Sequence, residues 1–190
     1  GGTRLTPRGQ QLVENFLRIE AEHQRFITQL GQQAQGIADD YLLIRNISMK
    51  TSARNHFAGT VTRVVHGAVN DEVEMEVRPG LRIVATVTHE SAEGLGLAVG
   101  AQAFALVKAS SIVVVTEAEG AHFSARNRLD GTVARIAAGA VNDEVVMDVA
   151  DGVSIAAIIT HASSEALGLA VGARATAIFK ASSVIVGAPA

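Results

Sequence analysis

Apolar and β-branched residues alternate with polar ones in several short stretches that are separated by turn-forming residues. Alternation with a period of two predicts half-buried β-strands, and glycine, proline and asparagine between them predict turns. A stretch at 91–97, which contains two glycines, predicts a short helical turn between the third and fourth strands. The predicted strands are Phe57–Val65, Val73–Val77, Leu81–Thr88, Ala101–Val107 and Ile112–Val115.

The same pattern occurs a second time, from Leu129 to Val186. Two polar motifs, Ser52-Ala53-Arg54-Asn55 and Lys108-Ala109-Ser110-Ser111, recur at a constant offset as Ser124-Ala125-Arg126-Asn127 and Lys180-Ala181-Ser182-Ser183. The copies, 52–115 and 124–187, align without a gap, which indicates two tandem domains. Five strands with one short helix between the third and fourth are typical of an OB-like barrel. The sequence therefore predicts a mainly β protein with two tandem OB-like five-stranded β-barrels, preceded by a long N-terminal helix.

The N-terminal helix is predicted from a heptad-like apolar stripe that begins after Thr6-Pro7, a helix-start signal. The stripe indicates either a helix lying on its own domain or, as we favour, a helix–helix contact in a dimer. We interpret His23 as a packed residue of this seam rather than as a metal ligand. Gly31 ends the pattern, and residues 32–41 are predicted to be a connector. The stripe consists of Leu12, Phe16, Ile19, His23, Phe26 and Leu30.

Composition excludes several classes of function. The 190 residues carry a net charge of −3, and no basic surface for direct binding of nucleic acid is expected. One tyrosine and no tryptophan also disfavour an OB-fold that stacks bases. Without cysteine there is no disulfide framework and no sulfur-based zinc site. No apolar run is long enough to span a membrane and no signal peptide opens the chain, so a cytoplasmic protein is expected.

The polar residues kept in both copies are mainly hydrogen-bond donors, which points to an anion. An oxyanion such as molybdate, tungstate, sulfate or phosphate offers only acceptors, so its pocket must supply hydroxyls, backbone N–H groups, guanidinium and ammonium. Ser52 and Arg54 are two residues apart, so in an extended stretch their side chains face the same way. Lys108 and Ser110 have the same spacing, so the same holds for them. The small residue Ala53, like Ala109, leaves backbone amides approachable.

A second cluster begins the short helical turn of each copy, at Thr88-His89-Glu90-Ser91 and Thr160-His161-Ala162-Ser163. Exposed N–H groups at a helix start attract anions, and the serine hydroxyls add donors. The threonines have an alternative role as helix caps only. The two histidines are either ligand contacts or structural residues, and no acid–base–nucleophile set surrounds them, so an enzyme is not expected.

The acidic pairs Asp71-Glu72 and Asp143-Glu144 fall in a predicted hairpin turn, where such residues are favoured. We therefore assign them to the turn and not to a metal cation. Met75 and Met147 fall at matching strand positions and are predicted to fill the core.

The motif Thr51-Ser52-Ala53-Arg54-Asn55, the Thr-x-x-Ser of 88–91, Leu95-Gly96-Leu97 and Lys108-Ala109 resemble the molbindin (Mop) module. The tandem arrangement is similar to the C-terminal half of molybdate-responsive transcription regulators of the ModE type. The resemblance implies that residues 1–9 are a remnant of a winged helix–turn–helix domain and 10–50 a linker helix and connector. The resemblance also implies that residues 51–116 and 123–187 are the two Mop modules. Most of the DNA-binding domain would then be missing from this chain.

The resemblance further implies a homodimer that binds molybdate, with tungstate as an alternative anion, between modules. One module would supply the serine, arginine and lysine positions, and another the threonine–serine pair. Both copies keep both sets, so either copy is expected to contribute. The implied molybdate-binding residues are Ser52, Ala53, Arg54, Lys108, Ala109, Ser110, Thr88, Ser91, Ser124, Ala125, Arg126, Lys180, Ala181, Ser182, Thr160 and Ser163.

Two functions follow from the resemblance. The first is the molybdate-sensing region of a molybdenum-dependent transcriptional regulator, in which the anion biases the dimer arrangement and DNA is contacted only through the missing domain. The alternative is a molbindin that stores or buffers molybdate. The N-terminal helix and the wing-like stretch 1–9 favour the regulator, because storage needs neither.

Overall fold

A computed structural model of the chain describes residues 51–189, together with the isolated Arg8. The predicted N-terminal helix, its seam histidine, the connector and the winged-helix remnant lie outside the described residues. Residues 51–189 belong to one compact unit, Ser48–Ala190. None of the helices in the described part of the chain is long and apolar enough to cross a membrane.

Both copies have the predicted order of elements, with five strands and a short helix between the third and fourth. A 3₁₀ turn separates the last two strands of each copy. The first copy consists of β1 (Asn55–Val65), β2 (Asn70–Arg78), β3 (Leu81–Thr88), α1 (His89–Gly94), β4 (Gln102–Val107), the turn Ala109–Ser111 and β5 (Val113–Val115). The second consists of β6 (Asn127–Ala137), β7 (Asn142–Ala150), β8 (Val153–Thr160), α2 (His161–Ala166), β9 (Arg174–Phe179), the turn Ala181–Ser183 and β10 (Val184–Gly187).

The two copies exchange their fifth strands, contrary to the prediction that each barrel is built from its own copy. One five-stranded sheet has the order β10-β4-β1-β2-β3 and the other the order β5-β9-β6-β7-β8. All pairings are antiparallel, and the edge strands β10 and β3 contact each other, so the sheet curls towards a barrel. The exchange follows from the 3₁₀ turn Ala109–Ser111, which packs against β8 and directs the following strand into the other copy.

The core is shared between the copies because of this exchange. Alternating residues of both sheets form one apolar cluster, with Val184 and Val186 of β10 packed into the first copy's side of it. Met75 and Met147 are 1% and 0% exposed, which confirms them as core residues. Burying these side chains on both sheets supplies the main driving force for folding. The two copies therefore form one structural unit, and the polar motifs lie where they join.

Candidate functional site

The register of β1 and β4 brings Arg54 next to Lys108. Asn55 is paired with Val107 at the end of this ladder, so Arg54 and Lys108 are the next residues outward on the two strands. Both side chains are exposed. The ladder thus brings the backbone of an arginine and that of a lysine together although the two residues are far apart in sequence.

The second copy has the same arrangement. Asn127 is paired with Phe179, and the next residues outward are Arg126 and Lys180, both exposed. Serine hydroxyls accompany each cationic pair: the predicted contacts Ser52, Ser110, Ser124 and Ser182 are all exposed.

The small residues of the motifs have a packing role. Ala109 and Ala181 are 2% and 7% exposed and anchor the two 3₁₀ turns. Ala53 and Ala125 are partly buried. The N–H of Ala53 donates to Thr51 Oγ1 at 3.1 Å, so this amide already has an acceptor. The alanines thus fix the backbone from which the neighbouring polar side chains project.

Each arginine forms an ion pair with a glutamate of the other copy. Arg54 Nη1 lies 3.5 Å from Glu144 Oε2, and Arg126 Nη2 lies 2.9 Å from Glu72 Oε1. Both glutamates lie in strands, β7 and β2, so their assignment to a hairpin turn was wrong. A carboxylate at the arginine opposes a second anion there. An oxyanion that binds the arginine must therefore displace or compensate the glutamate.

Two buried asparagines join the copies. Asn55 Oδ1 accepts from Ala156 N–H at 2.6 Å, and Asn55 Nδ2 donates to the carbonyls of Ala156 and Val107 at 2.9 and 3.1 Å. Asn127 makes the equivalent pair with Val84 N–H and C=O at 2.7 and 2.8 Å. Each side-chain amide thus extends the edge of the other copy's third strand as a peptide group would, which holds the adjacent arginine against that copy.

The threonine–serine pairs cap the short helices. Thr88 Oγ1 accepts from the N–H of Ser91 at 3.1 Å and donates to its Oγ at 2.7 Å. Thr160 and Ser163 are spaced identically, at 3.1 and 2.7 Å. All four residues are exposed, so their hydroxyls remain accessible as well. Within residues 51–189, no hydrogen bond joins these pairs to the arginine–lysine groups.

The two donor sets are nevertheless close in the fold. The turn after Lys180 packs against β3, which ends at Thr88, and the turn after Lys108 packs against β8, which ends at Thr160. Each lysine-bearing turn thus lies on the strand that leads to the other copy's threonine–serine pair.

The histidines of the helix starts bind buried carboxylates. In the second copy, His161 Nδ1 lies 3.0 Å from Asp143 Oδ1, and Gly139 N–H donates to the same oxygen at 3.1 Å. Asp143 is 2% exposed and lies in β7, not in a turn. Burial acts to raise the pKa of Asp143, but hydrogen bonds from Gly139, His161 and Ser164 outweigh it and lower the pKa. The hydrogen bond to Asp143, followed by its charge, raises the pKa of His161.

This pair predicts a pH-dependent stability. The contribution of protonated His161 is complete below its unfolded-state pKa and is lost as the pH rises through its raised folded-state pKa. The Asp143 contribution is lost only as the pH falls through its lowered pKa. We expect His161→Gln to lower the melting temperature more at about pH 5.5 than at about pH 8.5. Thermal melts at both pH values test this. An equal loss at both pH values would contradict it.

The geometry above is that of a known family. The model of the TOBE domain matches residues 51–114 and 124–186, which are most of the chain. The chain belongs to the TOBE domain family. It is 41% identical over 189 residues to the molybdenum-pterin-binding protein MopA of Rhodobacter capsulatus, covering 100% of this chain and 71% of that protein. It is 32% identical over 188 residues to the DNA-binding transcriptional dual regulator ModE of Escherichia coli K12, covering 98% and 71%.

A solved TOBE-type structure is also similar to this chain. The cytoplasmic molybdate-binding protein ModG, with molybdate bound, has a TM-score of 0.72 and 46% sequence identity, covering 74% of this chain and 100% of that one. None of these three relatives is named as an enzyme. The resemblance to Mop modules and ModE-type regulators that the sequence motifs indicate is therefore confirmed.

Proposed function

We propose that the two TOBE modules bind molybdate and act as the sensing region of a molybdenum-dependent transcriptional regulator. The observation that carries the proposal is the position of an exposed arginine and an exposed lysine just beyond the paired ends of the first and fourth strands in both copies. The names of the relatives support the ligand, since they include a molybdate-binding protein and a transcriptional regulator.

The chemistry of these residues suits a small doubly charged oxyanion. Arginine and lysine neutralise the charge, and serine and threonine hydroxyls supply further donors. Charge-assisted hydrogen bonds contribute roughly 1.5–3 kcal/mol each, so a few of them account for a micromolar site at about −8 kcal/mol. One module supplies Ser52, Arg54, Lys108 and Ser110, or their copies. A second module supplies Thr88 and Ser91, or theirs.

The glutamate partners of the arginines tune this site. Glu144 and Glu72 are 18% and 25% exposed at the side chain, and each contacts a second arginine, Arg135 or Arg63. When molybdate binds Arg54 or Arg126, the displaced glutamate keeps this second partner. The release of the glutamate therefore costs less than exposing an unpaired charge, and the ion pair holds the arginine in place when the anion is absent.

Regulation requires that the anion distinguish two arrangements of the protein. We propose a homodimer in which molybdate between modules favours one arrangement, and the segment before residue 51 transmits it to DNA-binding domains. An anion shifts such an equilibrium only by its differential affinity for the two arrangements. The relatives support this proposal, because the similarity to the E. coli regulator covers 98% of the chain, including the stretch before the modules.

Calorimetric titration of the whole chain with molybdate tests the ligand. We expect binding in the micromolar range or tighter, and thermal stabilisation of about 2.7 kcal/mol at one hundred times the dissociation constant. Sulfate, titrated in parallel at the same concentrations, should bind more weakly, and tungstate serves as the analogue of nearly equal size and the same charge. A sulfate response equal to that of molybdate would contradict molybdate selectivity, and no response to any of the three anions would exclude the site.

Storage or buffering of molybdate is the second candidate. The observation that favours it is the similarity to ModG, a molybdate-binding protein. The match covers 100% of the ModG chain. Small-angle scattering with and without saturating molybdate separates the two functions. A regulator is expected to change its dimer arrangement on binding, whereas a storage protein is expected to bind with an unchanged scattering profile.

A further inference from the structure

His66, Asp71 and His89 form a compact cluster in the first copy, and none of the three is among the residues of the proposed oxyanion site. Asp71 lies in β2 and is 0% exposed, whereas the histidine side chains are 64% and 46% exposed. His66 Nδ1 is 2.8 Å from Asp71 Oδ2, and His89 Nδ1 is 3.0 Å from the same oxygen. The two rings meet edge to face with centroids 5.6 Å apart. Two imidazole nitrogens and a carboxylate oxygen thus converge at one solvent-facing point.

These spacings suit a transition-metal ion. The three ligand atoms all lie within 4.8 Å of one another. Two ligand atoms on an ion with bonds of about 2.0–2.2 Å are roughly 2.9 Å apart at right angles and roughly 3.4 Å apart in a tetrahedral site. The observed nitrogen–oxygen spacings of 2.8 and 3.0 Å are therefore within a few tenths of an ångström of those that a metal requires. Both histidines are exposed, so small rotations of their rings bring the two Nδ1 atoms to bonding distance. The carboxylate has little freedom because it is buried.

The groups around these three atoms are those that orient metal ligands in proteins. Gly67 N–H donates to Asp71 Oδ1 at 3.2 Å, which leaves Oδ2 facing the histidines. His89 Nε2 lies 3.4 Å from Glu93 Oε1. A carboxylate that accepts from the outer nitrogen of a ligating histidine fixes the ring and strengthens the ligand. Glu93 is in position to do this when Nδ1 of His89 holds a metal.

The second copy lacks one of the three ligands. Asp143, His161 and Glu165 repeat Asp71, His89 and Glu93, and His161 Nε2 lies 3.6 Å from Glu165 Oε1. The position equivalent to His66, however, is Ala138. Among residues 51–189, the three-ligand cluster therefore occurs in the first copy alone. The second copy, with two of the three ligands, therefore shows what the site is without the histidine at position 66.

We propose that His66, Asp71 and His89 bind one divalent transition-metal ion, with water completing its coordination. Two imidazoles and one carboxylate favour zinc, nickel, copper or iron(II) over magnesium and calcium, which prefer oxygen ligands. The acidic pair Asp71-Glu72 alone predicted a turn without a cation, because the sequence does not show that His66 and His89 both lie against Asp71. The cation site adjoins the threonine–serine half of the proposed oxyanion site, because His89 lies between Thr88 and Ser91, but the two sites share no residue. The existence of the cation site does not depend on molybdate binding.

Zinc titration of the whole chain, freed of metal by a chelator that is then removed, tests the proposal by calorimetry. We expect one ion per chain. His66→Ala, which reproduces the second copy, should abolish binding or weaken it by at least about a hundredfold, and Glu93→Gln should weaken it by about tenfold. Ala138→His should install a second site and raise the stoichiometry to two. Magnesium should not compete, and molybdate affinity should be the same in His66→Ala as in the parent chain.

Two results would overturn the proposal. One is the absence of zinc binding at micromolar concentrations, which would leave the cluster as a hydrogen-bonded carboxylate only. The other is zinc binding that His66→Ala leaves unchanged, which would place the ion on other histidines of the chain. Because His66 is exposed and its counterpart is alanine, this variant is expected to fold, and circular dichroism confirms that before titration.

Discussion

Asn55→Ala is expected to lower the free energy of unfolding of the joined modules by about 2–4 kcal/mol. The substitution removes three hydrogen bonds to backbone groups and leaves the N–H and C=O of Ala156 and the carbonyl of Val107 without their side-chain partner. Asn55 is 3% exposed, so water replaces the amide poorly. Equilibrium unfolding in urea, followed by circular dichroism, measures the change. Asn127→Ala should have a similar effect, because it removes the same pair of bonds to Val84.

Asn70→Ala provides the control, because Asn70 is an exposed asparagine at the start of β2. Its substitution should change the free energy of unfolding by no more than about 0.5 kcal/mol. Equal stabilities of the Asn55 and Asn70 variants would show that the side-chain amide does not hold the copies together. We further expect residues 51–189 to unfold in a single transition, because the two copies share their core and their sheets.

Removing both arginines, as Arg54→Ala with Arg126→Ala, is expected to weaken molybdate binding by more than about tenfold. Each arginine side chain is more than half exposed, at 63% and 55%, so the fold should persist.

Glu144→Gln with Glu72→Gln should have the opposite effect and tighten molybdate binding several-fold, since the neutral amide no longer competes with the anion. Lys108→Ala with Lys180→Ala should weaken binding like the arginine variant. Calorimetry with molybdate measures all three pairs.

Arg82→Ser is the matched control for these variants. Arg82 is also an exposed arginine in an ion pair, 3.1 Å from Glu74, and the second copy has Ser154 at its position. Its loss should leave molybdate affinity unchanged. An affinity that is equally insensitive to the arginines at 54 and 126 would refute the proposed site, and weaker binding in the glutamine variants would show that the glutamates assist the anion rather than compete with it.

Periodicity predicted the order of elements because it reports which side of a strand is buried. Leu81–Thr88 is observed with the predicted bounds, and the other strands begin or end within a few residues of theirs. The buried methionines were predicted for the same reason. The repeated motif also indicated the cationic residues, because a pattern kept in two copies stands out against the substitutions around it.

Periodicity does not report which sheet a strand joins, so the exchange of β5 and β10 was not predicted. The three consecutive valines of Val113–Val115 are equally compatible with a strand in either sheet. The roles of Asn55 and Glu144 were missed for a related reason, since both depend on contacts between copies. A signal was present for Asn55: it is repeated as Asn127 within a motif of otherwise exposed polar residues, at the strand position where a buried side chain is expected.

The exchanged strands have a consequence for any shortened form of this protein. A polypeptide carrying a single copy would have no strand to fill the edge of its fourth strand except one borrowed from another molecule. Half-length chains are therefore expected to associate in pairs by mutual donation of their final strand. Fusing two such halves into one gene would turn an association that depends on concentration into a permanent one.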